Sequence, residues 1–434
     1  PRAQRPPLAE RRPVRIDIDN FEDVFARIAP QARIAGLQDA SGMALRIELA
    51  TMDDFSADAL LARLPAQPGA RVSASPARET ASASQEEDAA ALMKRLLGGE
   101  LPAGAPALAA VTTAAKVDAA VDRFVRQLVG EHIVAAPPAP AAGANDAAAA
   151  LLRHVLREAA WRHLECAWRA VDRFVRELDM ADGQVRLELL DCRADELLAD
   201  LHAAAADPAR AALALLLKGD GRGCDIIVSL EEFGPSLAEL SLLGGLAAVS
   251  AAQGAVLLAG AAPALAAVAT SDDAQVLAAN ESRVWGALRA SELASRVGLT
   301  FPRLLARLPY GPRNDPVAAF AFDELADASA TSLHDQLVWR SAALDAALLL
   351  AQGHADGGVE TRAQLEGLPA FIDRSGDEPQ LQAVAEAWLG ERDVGLLQAA
   401  GLITLQSDRR LPNARVSGWQ SIAAGGGDLA GSWR

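Results

Sequence analysis

One stretch restricts the fold of this chain more than any other. Residues 225–230 are an apolar, β-branched run, 235–252 follow a helical pattern, and 255–260 are a second apolar run. Strand, helix and strand with short connections make a β-α-β unit. Such a unit implies a parallel strand pair, because the helix must cross back over the sheet before the second strand begins. An α/β fold with a parallel or mixed sheet flanked by helices follows for the C-terminal part.

The rest of the chain divides around that unit by composition. Residues 1–13 are a Pro- and Arg-rich arm. Strict alternation over 14–19 predicts a half-buried strand, with Asp19 and Asn20 capping a helix over 21–28 that Pro30 ends. A second alternating strand over 43–49 and a short helix over 59–64 complete a small α+β unit, residues 1–65, expected to pack on the larger domain. Residues 66–145 read as a linker with helices: a Pro, Gly, Ser and Ala stretch, then helical patterns over 88–97 and 114–134, then a proline-rich spacer. Residues 146–434 form the larger α/β core, opened by one long helix to about Leu178. A strand over 185–190 and a helix over 191–201 come next, and a helix over 284–298 follows the β-α-β unit. The segment 304–308 reads as an amphipathic turn stopped by Pro309, Tyr310, Gly311 and Pro312. Val338 and Trp339 open an alanine-rich helix to about Gln352.

A formal net charge of −16 argues against nucleic acid and anionic membrane as main partners, since phosphate binding needs a basic surface. The mostly apolar run 242–268 contains Ser250, Gln253 and Pro263, which suits a buried helix and strand and not a membrane span. The basic, proline-rich start is not a signal peptide. Cys166, Cys192 and Cys224 are far apart and in no CxxC spacing, so they offer neither a zinc site nor a disulfide framework and suit a reducing cytoplasm.

The candidate chemistry is sparse. Asp17, Asp19, Asp53 and Asp54 flank strand ends and helix starts, where acids cap backbone N–H groups. His154 has Glu158 at i+4 and His163 has Cys166 at i+3, but two isolated pairs do not make a four-ligand metal site. Gly219, Gly221 and Gly223 precede their strand, whereas a dinucleotide fingerprint follows one, so they read as a turn. There is no GxSxG, Walker A or HExxH motif. No catalytic, cofactor-binding or metal residue is assigned, and the chain is read as a non-enzyme. An α/β enzyme with a site assembled in space is the alternative from another class.

The words of the sequence resemble a known family. Arg12, Val14, Ile16, Asp17, Asp19, Asn20, Phe21 and Pro30, followed by Met52, Asp53, Asp54, Phe55 and Ser56, resemble the small sheath subunit of bacterial type VI secretion systems, the TssB/VipA family. His163, Leu164, Glu165, Trp168 and Arg169, the helix from Trp285 to Leu299, and the run from Pro302 through Leu304, Arg307, Leu308, Pro309 and Tyr310 to Gly311 resemble the large subunit, the TssC/VipB family. Residues 357–360 and 391–405 echo it further, while Ser229–Gly234 departs from the family's GDYEFG. The resemblance covers residues 12–64 and about 150–411, as a fusion of a small-subunit-like part and a truncated large-subunit-like part. It implies a structural component of a contractile injection apparatus, cytoplasmic and oligomeric, whose partners are other sheath subunits, itself or baseplate proteins. The family's strand-exchange segments do not occur in this sequence, so a sheath-like accessory, cap or connector is expected. A fused sheath protomer polymerising around the inner tube is the alternative.

Overall fold

The computed structural model describes residues 6–39, 42–64, 145–180, 183–219, 221, 223–270, 279–326, 333–355, 363–373 and 380–431. The helices expected over 88–97 and 114–134 lie outside the described residues.

The small part comprises β1 (Val14–Ile16), α1 (Phe21–Ile28), β2 (Gln31–Gln38), β3 (Ala44–Glu48) and α2 (Ala57–Arg63). Phe21, Val24 and Phe25 recur at helical spacing and are the buried face of α1. The helix ends at Ala29, whose left-handed φ of 46° turns the chain into Pro30. β2 and β3 form an antiparallel hairpin, burying Ala32, Ile34 and Leu37 on one strand and Leu45 and Ile47 on the other. Ser56 caps α2 by accepting from the Ala59 N–H at 3.3 Å. Asn20 precedes α1 as expected, but its side chain works in the other direction. It accepts from the Asp17 N–H at 3.1 Å, while Asp17 accepts from the Asn20 N–H at 3.1 Å. The two side chains close a reciprocal turn that joins β1 to α1.

The large part begins with α3 (Asp146–Arg157) and α4 (Ala159–Glu177), followed by β4 (Leu187–Leu189), α5 (Ala194–Ala203) and α6 (Ala212–Lys218). The central unit is β5 (Ile226–Phe233), α7 (Leu237–Gln253) and β6 (Val256–Ala261). Next come α8 (Pro263–Thr270), α9 (Ala279–Ala290), β7 (Val297–Phe301), β8 (Leu304–Leu305), β9 (Trp339–Arg340), α10 (Ala343–Ala355), β10 (Gln364–Leu365), α11 (Glu391–Ala399), β11 (Leu402–Ser407) and β12 (Ala414–Val416). A six-stranded mixed sheet has the order β10-β12-β11-β7-β6-β5. β5, β6, β7 and β11 are parallel, and β12 is antiparallel to both β11 and β10. The expected parallel pairing of β5 and β6 is present, with Ile226 beside Val256. Ser236 and the left-handed Gly254 bound α7 between them.

Helices cover both faces of the sheet. Leu197, Leu213 and Leu243 of α5, α6 and α7 meet Leu257 and Leu299 on one face. On the other, Leu344 and Leu348 of α10 and Trp168 of α4 share a core with Leu258, Ile403 and the small part's Phe25 and Phe55. β1 leaves β2 and β3 and pairs antiparallel with β4 of the large part, Val14 beside Leu189.

Three local expectations are corrected. The single helix over 145–178 is two, because Glu158 is extended at ψ 129°. The guanidinium of Arg162 explains the break: it donates to Leu156 O at 3.1 Å, Asp335 O at 3.0 Å and Gln336 O at 2.9 Å, capping α3 while gripping the end of a short helical turn, Leu333–Gln336. Residues 304–308 are extended, not a helical turn, because Leu304 and Leu305 pair with Arg340 and Trp339. Trp339 therefore belongs to a short strand, and the alanine-rich helix starts at Ala343.

Candidate functional site: the seam between the small and large parts

The seam is built first from aromatic rings. Phe25 of α1 meets Trp168 of α4 at 4.4 Å between ring centroids, and Phe21 meets the same indole edge-on at 5.9 Å. Phe55, just before α2, meets Trp161 at 5.5 Å. Phe25, Phe55 and Trp161 are fully buried, each contributing about 2–3 kcal/mol of transfer free energy. Backbone and polar contacts add direction. Asp58 accepts from the Ala318 N–H at 2.9 Å, the His154 Nε2 lies 3.0 Å from Ala35 O, and Arg11 donates to Asp191 O at 2.8 Å and to Glu196 at 2.6 Å.

Behind the rings sits a buried charge cluster. Arg307 donates to Glu165 at 2.7 Å and, through two nitrogens, to Glu324 at 2.7 and 3.0 Å. Arg169 donates to the same Glu165 oxygen at 2.9 Å. The guanidinium of Arg307 lies 4.2 Å from the centre of the Tyr310 ring. Tyr310 closes the connection: its backbone N–H donates to Glu324 at 2.8 Å and its hydroxyl to Phe55 O of the small part at 2.9 Å. Burial works against ionisation of Glu165, but Arg307 and Arg169 outweigh it and hold the carboxyl below its usual range. Burial disfavours the Arg307 cation too, and Glu165 and Glu324 reverse that, raising it well above its ordinary value. Burial, with Glu165, pushes the Tyr310 hydroxyl up to about 12, so it remains a donor.

Two further buried pairs brace the same region. Arg303 holds Glu386 at 2.7 Å, and although burial opposes it, this cation keeps the Glu386 carboxyl down at about 2. Arg340 donates to Asp345 Oδ1 at 2.8 Å, and the Arg173 Nε lies 3.3 Å from the same oxygen.

Asp54 accepts from Ala50 N–H and Thr51 N–H at 2.6 and 3.0 Å and pairs with Arg63, the capping role expected of it. His154 is not joined to Glu158 but reaches Ala35, and His163 lies 3.9 Å from Glu231 rather than beside Cys166. Cys166 donates to Trp339 O at 3.4 Å. Gly219, Gly221 and Gly223 all have positive φ in the turn before β5. Among the described residues no three His, Cys, Asp or Glu side chains gather as they would around a metal ion. The sequence reading did not single out Glu165, Arg307 and Glu324 as a cluster. A signal was present: Glu165 falls between Trp161 and Trp168 on the buried stripe of α4, where a lone carboxylate needs a cation.

Each strong charge pair of the seam is turned toward another protein group and fastens one element to another. Fold and seam together define a protein in which two unlike parts share one core. Comparison with known proteins agrees. Residues 144–423 match the VipB family model, described as "EvpB/VC_A0108, tail sheath N-terminal domain". Residues 1–67 match the model described as "Type VI secretion system, VipA, VC_A0107 or Hcp2". The chain is 27% identical over 292 residues to the type VI secretion system sheath protein TssC1 of Pseudomonas aeruginosa, covering 62% of this chain and 57% of that protein. The chain belongs to the VipB tail-sheath family, with a VipA-like part in the same polypeptide.

Proposed function

We propose that this chain is a structural, non-catalytic component of a type VI secretion sheath, in which small-subunit and large-subunit parts are carried by one polypeptide. Its partners are other sheath subunits and it works in the cytoplasm. The observation that carries this reading is the tandem match to two sheath families combined with their continuous core: Phe25 and Phe55 from one part and Trp161 and Trp168 from the other lie in the same cluster. No helix among the described residues is long and apolar enough to cross a membrane.

Negative-stain electron microscopy tests it, on the purified protein alone and mixed with sheath proteins of the same cell. Hollow tubes from the protein alone identify a fused protomer. Particles decorating one end of a sheath identify a cap or baseplate connector. Discrete particles that never associate with sheath overturn the reading.

A further inference from the structure

The outer face of the β2–β3 hairpin carries two like charges that the fold itself does not use. β2 and β3 turn Ala32, Ile34, Leu37, Leu45 and Ile47 into the core, and Arg33 and Arg46 are exposed on the opposite face. The register sets these two arginines directly across from each other. Side chains so placed have Cβ atoms about 4.5–5.5 Å apart, and like charges there destabilise the ladder. Among the described residues neither guanidinium has an ion pair or a hydrogen bond. Glu48, two positions from Arg46 on the same face, accepts from Gln31 at 3.0 Å instead. Arg63 is different, being tied to Asp54 and to Glu48 O. A two-stranded hairpin is marginal in water, and an unlike pair of charges at this register would strengthen it where two cations weaken it.

A surface of opposite sign lies on the same small part. Asp19, Glu22 and Asp23 are exposed around the start of α1, and among the described residues none of them is ion-paired. Glu22 and Asp23 complement the helix dipole, which accounts for their place in the first turn and leaves their outward charge unmatched. Each patch also holds a large apolar side chain in the open. Ile18, beside Asp19, is 51% exposed, and Met43, at the tip of the hairpin, is 66% exposed. An apolar anchor ringed by charge is the make-up of a protein interface. Two patches of opposite sign that no ion pair joins within the chain are suited to meet between chains, head to tail.

We propose that the Arg33 and Arg46 pair is a docking site for the carboxylates of a second copy of this chain, presented by Asp19, Glu22 and Asp23 at the start of that copy's α1. A carboxylate between the two guanidiniums turns the cross-strand repulsion into a clamp of charge-assisted hydrogen bonds. A net charge of −16 favours a local carboxylate patch over a polyanion, which the rest of the surface repels. The contact is heterologous. Each copy offers its hairpin to one neighbour and its α1 to another, so the contact closes into a ring or propagates as a helical filament. Its place in a sheath rests on the reading above; the contact between copies does not.

Charge exchange tests it on the full chain, with self-association followed by sedimentation velocity and folding by melting temperature. A hairpin variant, Arg33→Glu with Arg46→Glu, is expected to weaken self-association about tenfold, and so is a helix variant, Asp19→Lys with Glu22→Lys and Asp23→Lys. Mixing the two variants is expected to restore association, because each patch then meets its opposite sign. Lysines oppose the dipole at the start of α1, so Glu22→Gln with Asp23→Asn accompanies them and is expected to weaken association while the melting temperature holds. Arg33→Glu alone sets an opposite charge across from Arg46, so its melting temperature is expected to hold or rise while association falls. Raising the salt from about 0.1 M to about 1 M shortens the screening length from about 10 to about 3 Å and is expected to weaken association of the intact chain. An intact chain that stays monomeric, or variants whose mixture fails to associate, overturns the proposal. A hairpin variant that associates less while both helix variants associate as before overturns the second copy as the occupant. Sheath proteins of the same cell separate the two readings. Restored association of the mixed variants with no binding to sheath in the microscope overturns the sheath placement and leaves the contact. Sheath binding by the intact chain with no restoration on mixing overturns the contact and leaves the sheath reading.

Discussion

Arg307→Met is the perturbation that tests the seam most directly. Arg307 is 6% exposed, and among the described residues it is the one cation bonded to both Glu165 and Glu324, which are 0% and 1% exposed. Methionine keeps most of the volume and removes the charge, so the loss is electrostatic and not a cavity. Breaking one buried ion pair costs about 3–5 kcal/mol, because the partner charge stays behind without compensation. Here two carboxylates lose their cation and Tyr310 loses a stacked guanidinium, so a loss of at least about 4 kcal/mol near neutral pH is expected. The pH dependence gives an independent check. In the intact protein Glu165 is held below its ordinary value, so its contribution is present above the unfolded glutamate value and disappears as pH falls through the folded one. In the variant, burial is opposed by Arg169 alone and the folded value moves up. The difference between the two proteins is therefore smaller at low pH, where Glu165 is protonated in both, than at neutral pH. Urea unfolding followed by tryptophan fluorescence at both pH values measures it. Adding Glu165→Gln and Glu324→Gln to the variant is expected to restore much of the loss, since removing a whole buried set is far cheaper than removing one member. A loss under about 1 kcal/mol, or one of the same size at both pH values, refutes the reasoning.

Four other outcomes follow from the same contacts. Phe25→Ala, at a fully buried ring 4.4 Å from Trp168, is expected to cost about 3–5 kcal/mol in urea unfolding. Tyr310→Phe removes the hydroxyl that reaches Phe55 O and leaves that carbonyl buried, a loss of about 1–2 kcal/mol in the same assay. Glu386, at about 2 when folded, contributes stability above the unfolded glutamate range that is lost as pH falls toward 2; Glu386→Gln should flatten the acid limb of the stability curve by about 3 kcal/mol. Removing residues 1–64 uncovers Trp161 and Trp168, so the remainder is expected to lose its near-ultraviolet circular dichroism and bind a hydrophobic dye.

The central β5-α7-β6 unit was legible because its signals are local: two aliphatic runs, a helix capped by Ser236, and Gly254 at the exit. The small part's α1 was legible from Phe21, Val24 and Phe25 for the same reason. β2 was not, since Gln31, Arg33, Gly36 and Gln38 dilute the alternation that Ala32, Ile34 and Leu37 make only once β3 lies beside them. The break at Glu158 carries no glycine or proline; a side chain from the next helix and a short helical turn some 170 residues away create it. The segment around Arg307 looked helical because its leucines fit that spacing, but Arg303 and Arg307 are each held by carboxylates remote in sequence, which leaves the backbone between them extended. Helices and turns announce themselves over a few residues, whereas the seam is a tertiary object. Its chemistry showed in the sequence only as one acid on an apolar stripe.

The topology also decides what the fusion does mechanically. A two-stranded hairpin is marginal in water by itself, and the small part's third strand, β1, is committed to β4. Phe21 and Phe25 of its first helix pack on Trp168 of α4, and Phe55, just before its second, packs on Trp161. Such a unit draws its stability from the large part. Carrying both on one polypeptide turns their association into an intramolecular event and fixes their ratio at one to one. A seam closed by interlocked rings, a buried cation between two carboxylates and a shared strand pair has no low-cost alternative arrangement, because separating any one of these leaves a buried charge or an indole without its partner. In an assembly built from this chain, motion between subunits therefore falls to surfaces outside the seam.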